Sequence, residues 1–235
     1  MDGNKGFQGR YFKLVRWCAR RFTKRCVMPP ATAFPNHPVV YVCHHHNLRG
    51  PLASMAWLPI QVRPWALSIF FDKEVCHAHF RDYTFSERYG WPRLWVIFVA
   101  WLTGGAIPPL MRSMGALPVY RNSTESLRTL RASVDALLRG ESLIIYPDIE
   151  YTNGDTQVGE MYQGFLLLER LWIHKKGTHL DFVPLIYSPQ IPAIELGEPI
   201  RFEDGDFAAQ CHFVAEKIWS SLNKQEFLHK FYENA

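Results

Sequence analysis

The chain has 235 residues, of which 48% are hydrophobic and 20% are charged, with a formal net charge of +4. This length and apolar content allow a sizeable buried core and exclude an intrinsically disordered chain. No charge-free run reaches the length of a typical membrane span, which excludes a polytopic membrane protein.

The basic residues are concentrated near the amino terminus. Residues 1–30 contain eight Lys or Arg residues and one acidic residue, giving +7, whereas the other 205 residues contain 18 basic and 21 acidic residues, giving −3. Such a segment favours an anionic partner, either lipid or nucleic acid. Apolar residues three and four positions apart predict a helix over 7–28, either lying on an anionic membrane or packed on the body with a solvated basic face.

The rest of the chain alternates between short apolar runs and helical patterns. The apolar runs cover 39–43, 65–71, 115–121, 142–146, 180–187 and 194–200, and the helical patterns cover 52–58, 124–138, 159–172 and 207–222. This alternation predicts an α/β fold with a mainly parallel sheet flanked by helices. We therefore predict a basic amphipathic membrane-associating helix over 1–30 and one α/β domain over 31–235.

A charge-free stretch of 17 residues at 94–110 is interrupted by a Gly pair and a Pro pair. It fits either a buried core helix or an interfacial segment, with a single membrane span as the less favoured alternative. Five scattered cysteines form no CxxC pair, which excludes a disulfide framework and predicts a reducing compartment. No unbroken apolar run occurs near the amino terminus, so a secretory signal is not expected. Together with the basic amino-terminal helix, this predicts a chain at the cytoplasmic face of a membrane, peripheral or monotopic.

Titratable side chains follow several predicted strands at the edge where open α/β sheets bind ligands. They are His44, His45 and His46 after the first run, Asp72 and Lys73 after the second, Arg121 in the third, and Asp148 and Glu150 after the fourth. This set supplies a base, cations and carboxylates. On an extended chain His44 and His46 point to one face and His45 to the other, so no metal site is predicted. The same residues also fit simpler roles, as solvated histidines, a surface ion pair and turn residues.

Five segments occur in a distinctive order: HHHNLRGP at 44–51, GALPVYR at 115–121, YPDIEY at 146–151, VPL at 183–185 and LGEPI at 196–200. Together they resemble the glycerolipid acyltransferase superfamily, which includes 1-acylglycerol-3-phosphate acyltransferase. The first three family blocks read NHxSxxDP, GxIPVxR and FPEGTR. The resemblance covers most of the chain, from about residue 39 to 222, and implies that superfamily's α/β fold.

The resemblance places His45 at the position of the family's catalytic base, whereas Gly50 stands where the family has the paired aspartate. We expect another acceptor to hold the imidazole. Asp148 is favoured, because it ends a strand expected to neighbour the strand before the histidines. The alternatives are Asp72, Glu150 and the amide of Asn47, and a different register would make His44 or His46 the working residue.

The resemblance implies acyl transfer from acyl-CoA or acyl-carrier protein to the hydroxyl of a lysophospholipid such as 1-acylglycerol-3-phosphate, without a cofactor or a metal. His45 would be the base, and Asp148 or Asp72 would orient it. The implied substrate-binding residues are Arg121, Lys73, Asn47, Arg49, Gly50 and Glu150. The expected partners are the lipid acceptor, the acyl thioester and an anionic membrane surface. Nucleic acid is not expected, because no nucleic-acid motif follows the basic segment. The alternative is a non-catalytic relative that binds lipid or acyl thioester.

Overall fold

The computed structural model describes residues 6–120, 123–148, 161–188 and 190–223. The predicted α/β class is confirmed, with helices flanking mainly parallel strands. The chain divides into two compact units. The first unit is Met1–Val15 with Arg63–Thr129, and the second is Arg16–Val62 with Leu130–Ala235. The predicted role of residues 1–30 in membrane association stays a prediction.

The elements follow one another along the chain, with helices and strands alternating through much of it. The helices are α1 (Arg10–Phe22), α2 (Arg49–Trp57), α3 (Lys73–His79), α4 (Arg93–Met114), α5 (Ser123–Leu138), α6 (Leu168–Lys176) and α7 (Phe207–Leu222). The strands are β1 (Val40–Cys43), β2 (Val62–Leu67), β3 (Leu117–Val119), β4 (Ser142–Ile145), β5 (Asp181–Ser188), β6 (Ala193–Leu196) and β7 (Ile200–Arg201).

In the second unit, β1 lies between β4 and β5, and all three are parallel. The register places Val42 opposite Ile145 on one side and Pro184 on the other. β6 and β7 pair with β5 in the antiparallel direction. One face of this sheet packs into a core that includes Tyr41 and Ile144. Buried β-branched and aromatic residues thus hold β1 in the middle of the sheet, with polar residues at its carboxyl end.

Several predicted boundaries in the second unit were wrong. The helix predicted over 159–172 starts later, since residues 161–163 are not helical and α6 begins at Leu168 after a 3₁₀ turn at Gly164–Leu167. The run at 194–200 predicted one strand, but β6 and β7 are separate, because Gly197 and Pro199 interrupt the run. The helix predicted over 7–28 ends at Phe22. Residues beyond it leave the helix because Val27 forms a parallel bridge to Ala193, with its N–H donating to the Pro192 carbonyl at 2.8 Å.

The first unit contains the parallel pair β2 and β3, with Ala66 opposite Pro118. It also contains α3, a π-helical segment Phe80–Arg88, and α4. Neither α3 nor the π-helical segment was predicted, although Asp72 supplies an N-cap signal, since its Oδ1 accepts from the N–H groups of Glu74 and Val75 at 2.9 Å. The charge-free stretch at 94–110 forms most of α4.

Two of the amino-terminal arginines donate hydrogen bonds to backbone carbonyl groups of the second unit. Arg16 Nε donates to the Ala56 carbonyl at 3.0 Å, and its Nη2 donates to the Leu58 carbonyl. Arg20 Nε also donates to the Ala56 carbonyl, at 2.5 Å. These contacts satisfy carbonyl groups at the end of α2, where a cation is also favoured by the helix dipole. Burial, together with Arg20, lowers the pKa of Arg16 to about 10, so Arg16 stays charged at neutral pH.

A buried carboxylate joins α6 to the beginning of β5. Glu169 is almost fully buried, and its Oε2 accepts from the Leu180 N–H at 2.9 Å. Its Oε1 bonds to His179 Nδ1 at 2.7 Å. The bond to Glu169 raises the pKa of His179, because it favours the imidazolium form. The pair therefore stabilises the fold most when His179 is protonated.

We predict that His179→Ala lowers the free energy of unfolding most at acidic pH. The folded-state pKa of His179 is raised, so its contribution is fully present below the unfolded value of about 6.5 and is lost as the pH rises through the folded-state pKa. Urea unfolding of both proteins across this range measures the difference. His174→Ala, which removes an exposed histidine of α6, the helix that carries Glu169, is the control and should unfold as the wild type does. A difference between His179→Ala and wild type that does not depend on pH would contradict the assignment.

Candidate active site

Asp148 ties the end of β4 to the histidines that follow β1. Its Oδ1 bonds to His44 Nδ1, and its Oδ2 accepts from the backbone N–H of His45 at 2.5 Å. The register explains this contact, because Val42 lies opposite Ile145 and the two chains leave the sheet side by side. The Asp148 and His44 side chains are 2% and 6% exposed, so the pair is shielded from bulk water. Shielding from water strengthens the electrostatic interaction between them.

The bonds at Nδ1 distinguish His44 from His45. A carboxylate only accepts, so in the neutral imidazole of His44 the proton is on Nδ1 and the lone pair is on Nε2. In His45, Nδ1 accepts from the Leu48 N–H at 3.1 Å, so the neutral ring carries its proton on Nε2. His44 therefore has the tautomer of a general base that acts through Nε2, and His45 has the opposite tautomer.

The three histidine rings lie on two faces, as strand alternation predicts. The rings of His44 and His46 are 3.7 Å apart between centroids, whereas the His45 ring contacts Tyr146 at 5.9 Å. His46 also contacts Tyr187 at 5.5 Å. Within the described parts of the chain, no group of three His, Cys, Asp or Glu side chains is arranged to hold a metal ion.

A left-handed turn separates the histidines from α2. His46, Asn47 and Leu48 have φ values of +43°, +49° and +74°, a conformation that is costly for residues other than glycine. The turn is closed by the Arg49 N–H, which donates to the His46 carbonyl at 3.1 Å. Three consecutive strained residues beside a buried His–Asp pair are typical of a functional loop rather than a simple connection.

Gly50 has no room for a side chain. A Cβ atom at this position would lie 2.0 Å from the carbonyl oxygen of His44. Its N–H donates to the His45 carbonyl at 3.2 Å, within the first turn of α2. An aspartate at residue 50 would therefore not fit this turn, and the carboxylate beside His44 is that of Asp148, which follows β4.

The neighbouring thiol and phenol are not charged at neutral pH. Burial raises the pKa of the Cys43 thiol, and the Asp148 carboxylate raises it further. Burial likewise raises the pKa of Tyr146, whose hydroxyl lies 2.6 Å from the Ser54 hydroxyl. Cys43 therefore does not supply a thiolate nucleophile, although it directly precedes His44.

The other predicted site residues are distributed over both units. Asn47 and Arg49 are exposed in the turn and at the beginning of α2. In the first unit, Asp72 caps α3, and Lys73 is exposed as the first residue of that helix. Arg121 and Glu150 lie outside the described residues. Substrate binding by Arg121, Lys73, Asn47, Arg49, Gly50 and Glu150 stays a prediction, as does an orienting role for Asp72.

Sequence reasoning favoured Asp148 as the acceptor but placed it against His45 rather than His44. The signal for His44 is the alternation of β1, in which Tyr41 and Cys43 point into the core and Val42 and His44 point to the other face. That alternation identifies a face, but which residue after β4 meets His44 depends on strand register, and the sequence pattern does not give the register.

Comparison with known proteins supports the fold. None of the known protein-family models matches this sequence, and no curated protein matches it. Among solved structures, the chain is similar to the crystal structure of the 1-acyl-sn-glycerophosphate (LPA) acyltransferase PlsC from Thermotoga maritima, with a TM-score of 0.52 and 14% identity. The match covers 90% of this chain and 78% of the PlsC chain. The chain thus has an α/β fold similar to that of PlsC. At this identity the likeness concerns the fold alone.

We predict that Gly50→Ala destabilises the protein, because the added methyl group would overlap the His44 carbonyl. Overpacking of this kind costs about 1–3 kcal/mol and lowers the melting temperature by several degrees. Thermal unfolding followed by circular dichroism is the measurement. Gly105→Ala is the matched control, since a methyl group on that helical glycine would meet no atom within 4 Å and alanine favours helix. Equal stability of Gly50→Ala and wild type would contradict the steric argument.

Proposed function

We propose that this protein is an acyltransferase that moves a fatty acyl group from acyl-CoA or acyl-carrier protein to the hydroxyl of a lysophospholipid, such as 1-acylglycerol-3-phosphate. One observation carries the proposal: Asp148 bonds to Nδ1 of His44 at the carboxyl ends of two adjacent parallel strands. The PlsC-like fold supports it, because PlsC is an acyltransferase for a lysophospholipid acceptor.

In the proposed reaction, Nε2 of His44 takes the proton of the acceptor hydroxyl as its oxygen attacks the thioester carbonyl. Asp148 holds the imidazole in the required tautomer and stabilises the imidazolium that forms. When the tetrahedral intermediate collapses, the carbon–sulfur bond breaks and the imidazolium returns the proton to the leaving thiolate. The products are the ester and the free thiol, so atoms and charge balance without a cofactor.

We further propose that the acceptor phosphate is bound by Arg121, with Lys73 or Arg49 as a second cation. A guanidinium group suits this role because its planar fork can donate two parallel hydrogen bonds to phosphate oxygens. Arg49 is exposed directly after the strained turn, close in sequence to His44. With His44 as the base, the role of His45 is instead to stabilise the turn, since its Nδ1 accepts from the Leu48 N–H.

A second candidate function is binding of lipid or acyl thioester without turnover. The observation in its favour is the burial of the His44 side chain, which is only 6% exposed. A base so enclosed can react only with a substrate group that reaches Nε2 directly. The two candidates differ in one measurable property, which is release of free thiol from the donor.

We predict that His44→Ala and Asp148→Asn abolish most of the activity, whereas His45→Ala causes a much smaller loss. Removal of an orienting carboxylate from a base of this kind lowers the rate by a factor on the order of 10⁴. The assay follows thiol release from acyl-CoA with lysophosphatidate as acceptor. Asp148→Asn is nearly isosteric and keeps an oxygen for the His45 N–H, so circular dichroism should show an intact fold.

The competing outcomes separate the hypotheses. If His45→Ala is inactive and His44→Ala is not, then His45 is the base. If the wild type releases no thiol with acyl-CoA or acyl-carrier protein but still binds lysophosphatidate, then the non-catalytic function is correct. The circular dichroism spectrum of each variant is compared with that of His174→Ala, the folded control. A loss of activity is assigned to the reaction only where the two spectra agree.

A further inference from the structure

One face of α4 exposes large apolar side chains over about two turns. The most exposed are Leu94 at 83%, Trp101 at 65% and Trp95 at 62%, and they are joined on the same side by Phe98 and Leu102. We refer to these five residues as the α4 apolar face. The helix is long and apolar enough to cross a membrane, yet only 22% of its most apolar stretch is buried. A core helix would be buried over most of that stretch, so this helix is not one.

The opposite side of α4 is packed within the first unit. The buried residues Val96, Ala100, Gly104 and Pro108 recur every four residues and form one stripe, and Met114 is buried at the end of the helix. At Gly104 a Cβ would lie 2.7 Å from His77 Cβ, so α3 approaches the helix backbone closely. Phe85 of the π-helical segment packs against the beginning of the same stripe. The helix is therefore attached lengthwise to the unit by one side and exposed on the other.

The charges carried by α4 and by the sequence on either side of it are of one sign. No acidic residue occurs between Glu87 and Glu125, and α4 itself carries only Arg93 and Arg112, one at each end. The beginning of α1 lies beside the second half of α4, since the Gly9 N–H donates to the Ser113 carbonyl at 2.7 Å and Phe12 N–H donates to Ser113 Oγ at 2.9 Å. That part of α1 adds two exposed cations, Arg10 and Lys13.

Apart from the indole N–H groups of its two tryptophans, the face lacks the polar groups that a specific protein partner would use. Between Arg93 and Arg112 the only hydroxyl is that of Thr103, and it donates to the Val99 carbonyl at 2.9 Å within the helix. Protein interfaces typically contain a hydrogen bond for every 100–200 Å² of buried surface. Two exposed tryptophans suit the boundary between lipid headgroups and acyl chains, where an apolar ring and an N–H group are both accommodated.

We propose that the α4 apolar face inserts into one leaflet of an anionic phospholipid bilayer, with α4 lying parallel to the membrane plane. This inference concerns the membrane contact and does not depend on the proposed reaction. A 22-residue helix is about 33 Å long, which would be enough to span the hydrocarbon core. The lengthwise attachment prevents that orientation, because α3 and the π-helical segment would enter the core with it. Those segments carry Lys73, Glu74 and the exposed Arg81–Asp82 ion pair.

The first experiment measures vesicle binding of the full chain by co-sedimentation, without substrate. Phe98→Glu combined with Trp101→Glu should weaken binding to mixed phosphatidylcholine–phosphatidylglycerol vesicles at least tenfold. Leu127→Glu is the matched control, because Leu127 is an exposed leucine of α5 in the same unit, and it should bind as the wild type does. Wild-type binding to pure phosphatidylcholine should be weaker. Unchanged binding by the double variant would overturn the proposal, as would a wild type that binds no vesicles.

The second experiment determines the orientation. Arg93→Cys and Arg112→Cys are made separately in a chain whose partly exposed Cys18 and Cys211 are replaced by serine. Each protein is bound to sealed vesicles and treated with a membrane-impermeant maleimide from outside. Labelling at both positions supports the in-plane orientation, whereas protection of one end until detergent is added would show a spanning helix and overturn it. If the double variant instead changes the oligomeric state in sedimentation velocity without lipid, the face is an interface between copies of the chain and the proposal is wrong.

Discussion

The candidate site depends on the carboxylate of Asp148, which accepts from His44 Nδ1 with one oxygen and from the His45 N–H with the other. Because β1 and β4 are adjacent and parallel, this single side chain fixes both the orientation of an imidazole and the direction in which the chain leaves β1. A buried carboxylate needs such partners, since an unpaired charge would be costly at this depth. The same contacts that stabilise the site thus also define the tautomer of the His44 imidazole.

The turn after the histidines is consistent with a carboxylate supplied from the neighbouring strand. Residues 46–48 take a left-handed path that brings Gly50 against the His44 carbonyl, so the turn contributes no carboxylate at residue 50. Related chemistry can be arranged on one fold by different residues, because a base needs an acceptor at Nδ1 and not an acceptor at one sequence position. A departure from a motif is therefore weak evidence of lost activity.

The amino-terminal segment shows that a charge count overestimates the cations available to a partner. Arg16 and Arg20 donate to carbonyl groups at the end of α2 and serve the fold. Arg10 and Lys13 remain exposed beside α4. Conversely, the sequence of α4 fitted either a core helix or an interfacial segment, and in the structure this helix exposes its most apolar side chains. Surface chemistry in this protein is therefore read from which side of a helix is packed, not from composition.

The α/β class, most strands and helices, and the importance of Asp148 could be predicted, because burial imposes apolar periodicity and polar residues collect where strands end. The π-helical segment Phe80–Arg88 could not, since π-helices are rare and its aromatic residues pack against α4, a contact that local periodicity does not give. The separation of β6 from β7 was missed because one apolar run covered both.

The sequence by itself determined the fold class, the position of the polar residues after β1 and β4, and the concentration of positive charge before residue 30. Only the tertiary structure decided which histidine meets Asp148 and which side of α4 is exposed. Strand register and helix packing are set by contacts between residues far apart in the chain, here about one hundred residues between His44 and Asp148. Local periodicity restricts each side chain to a face, and the packing of distant elements then selects its partner.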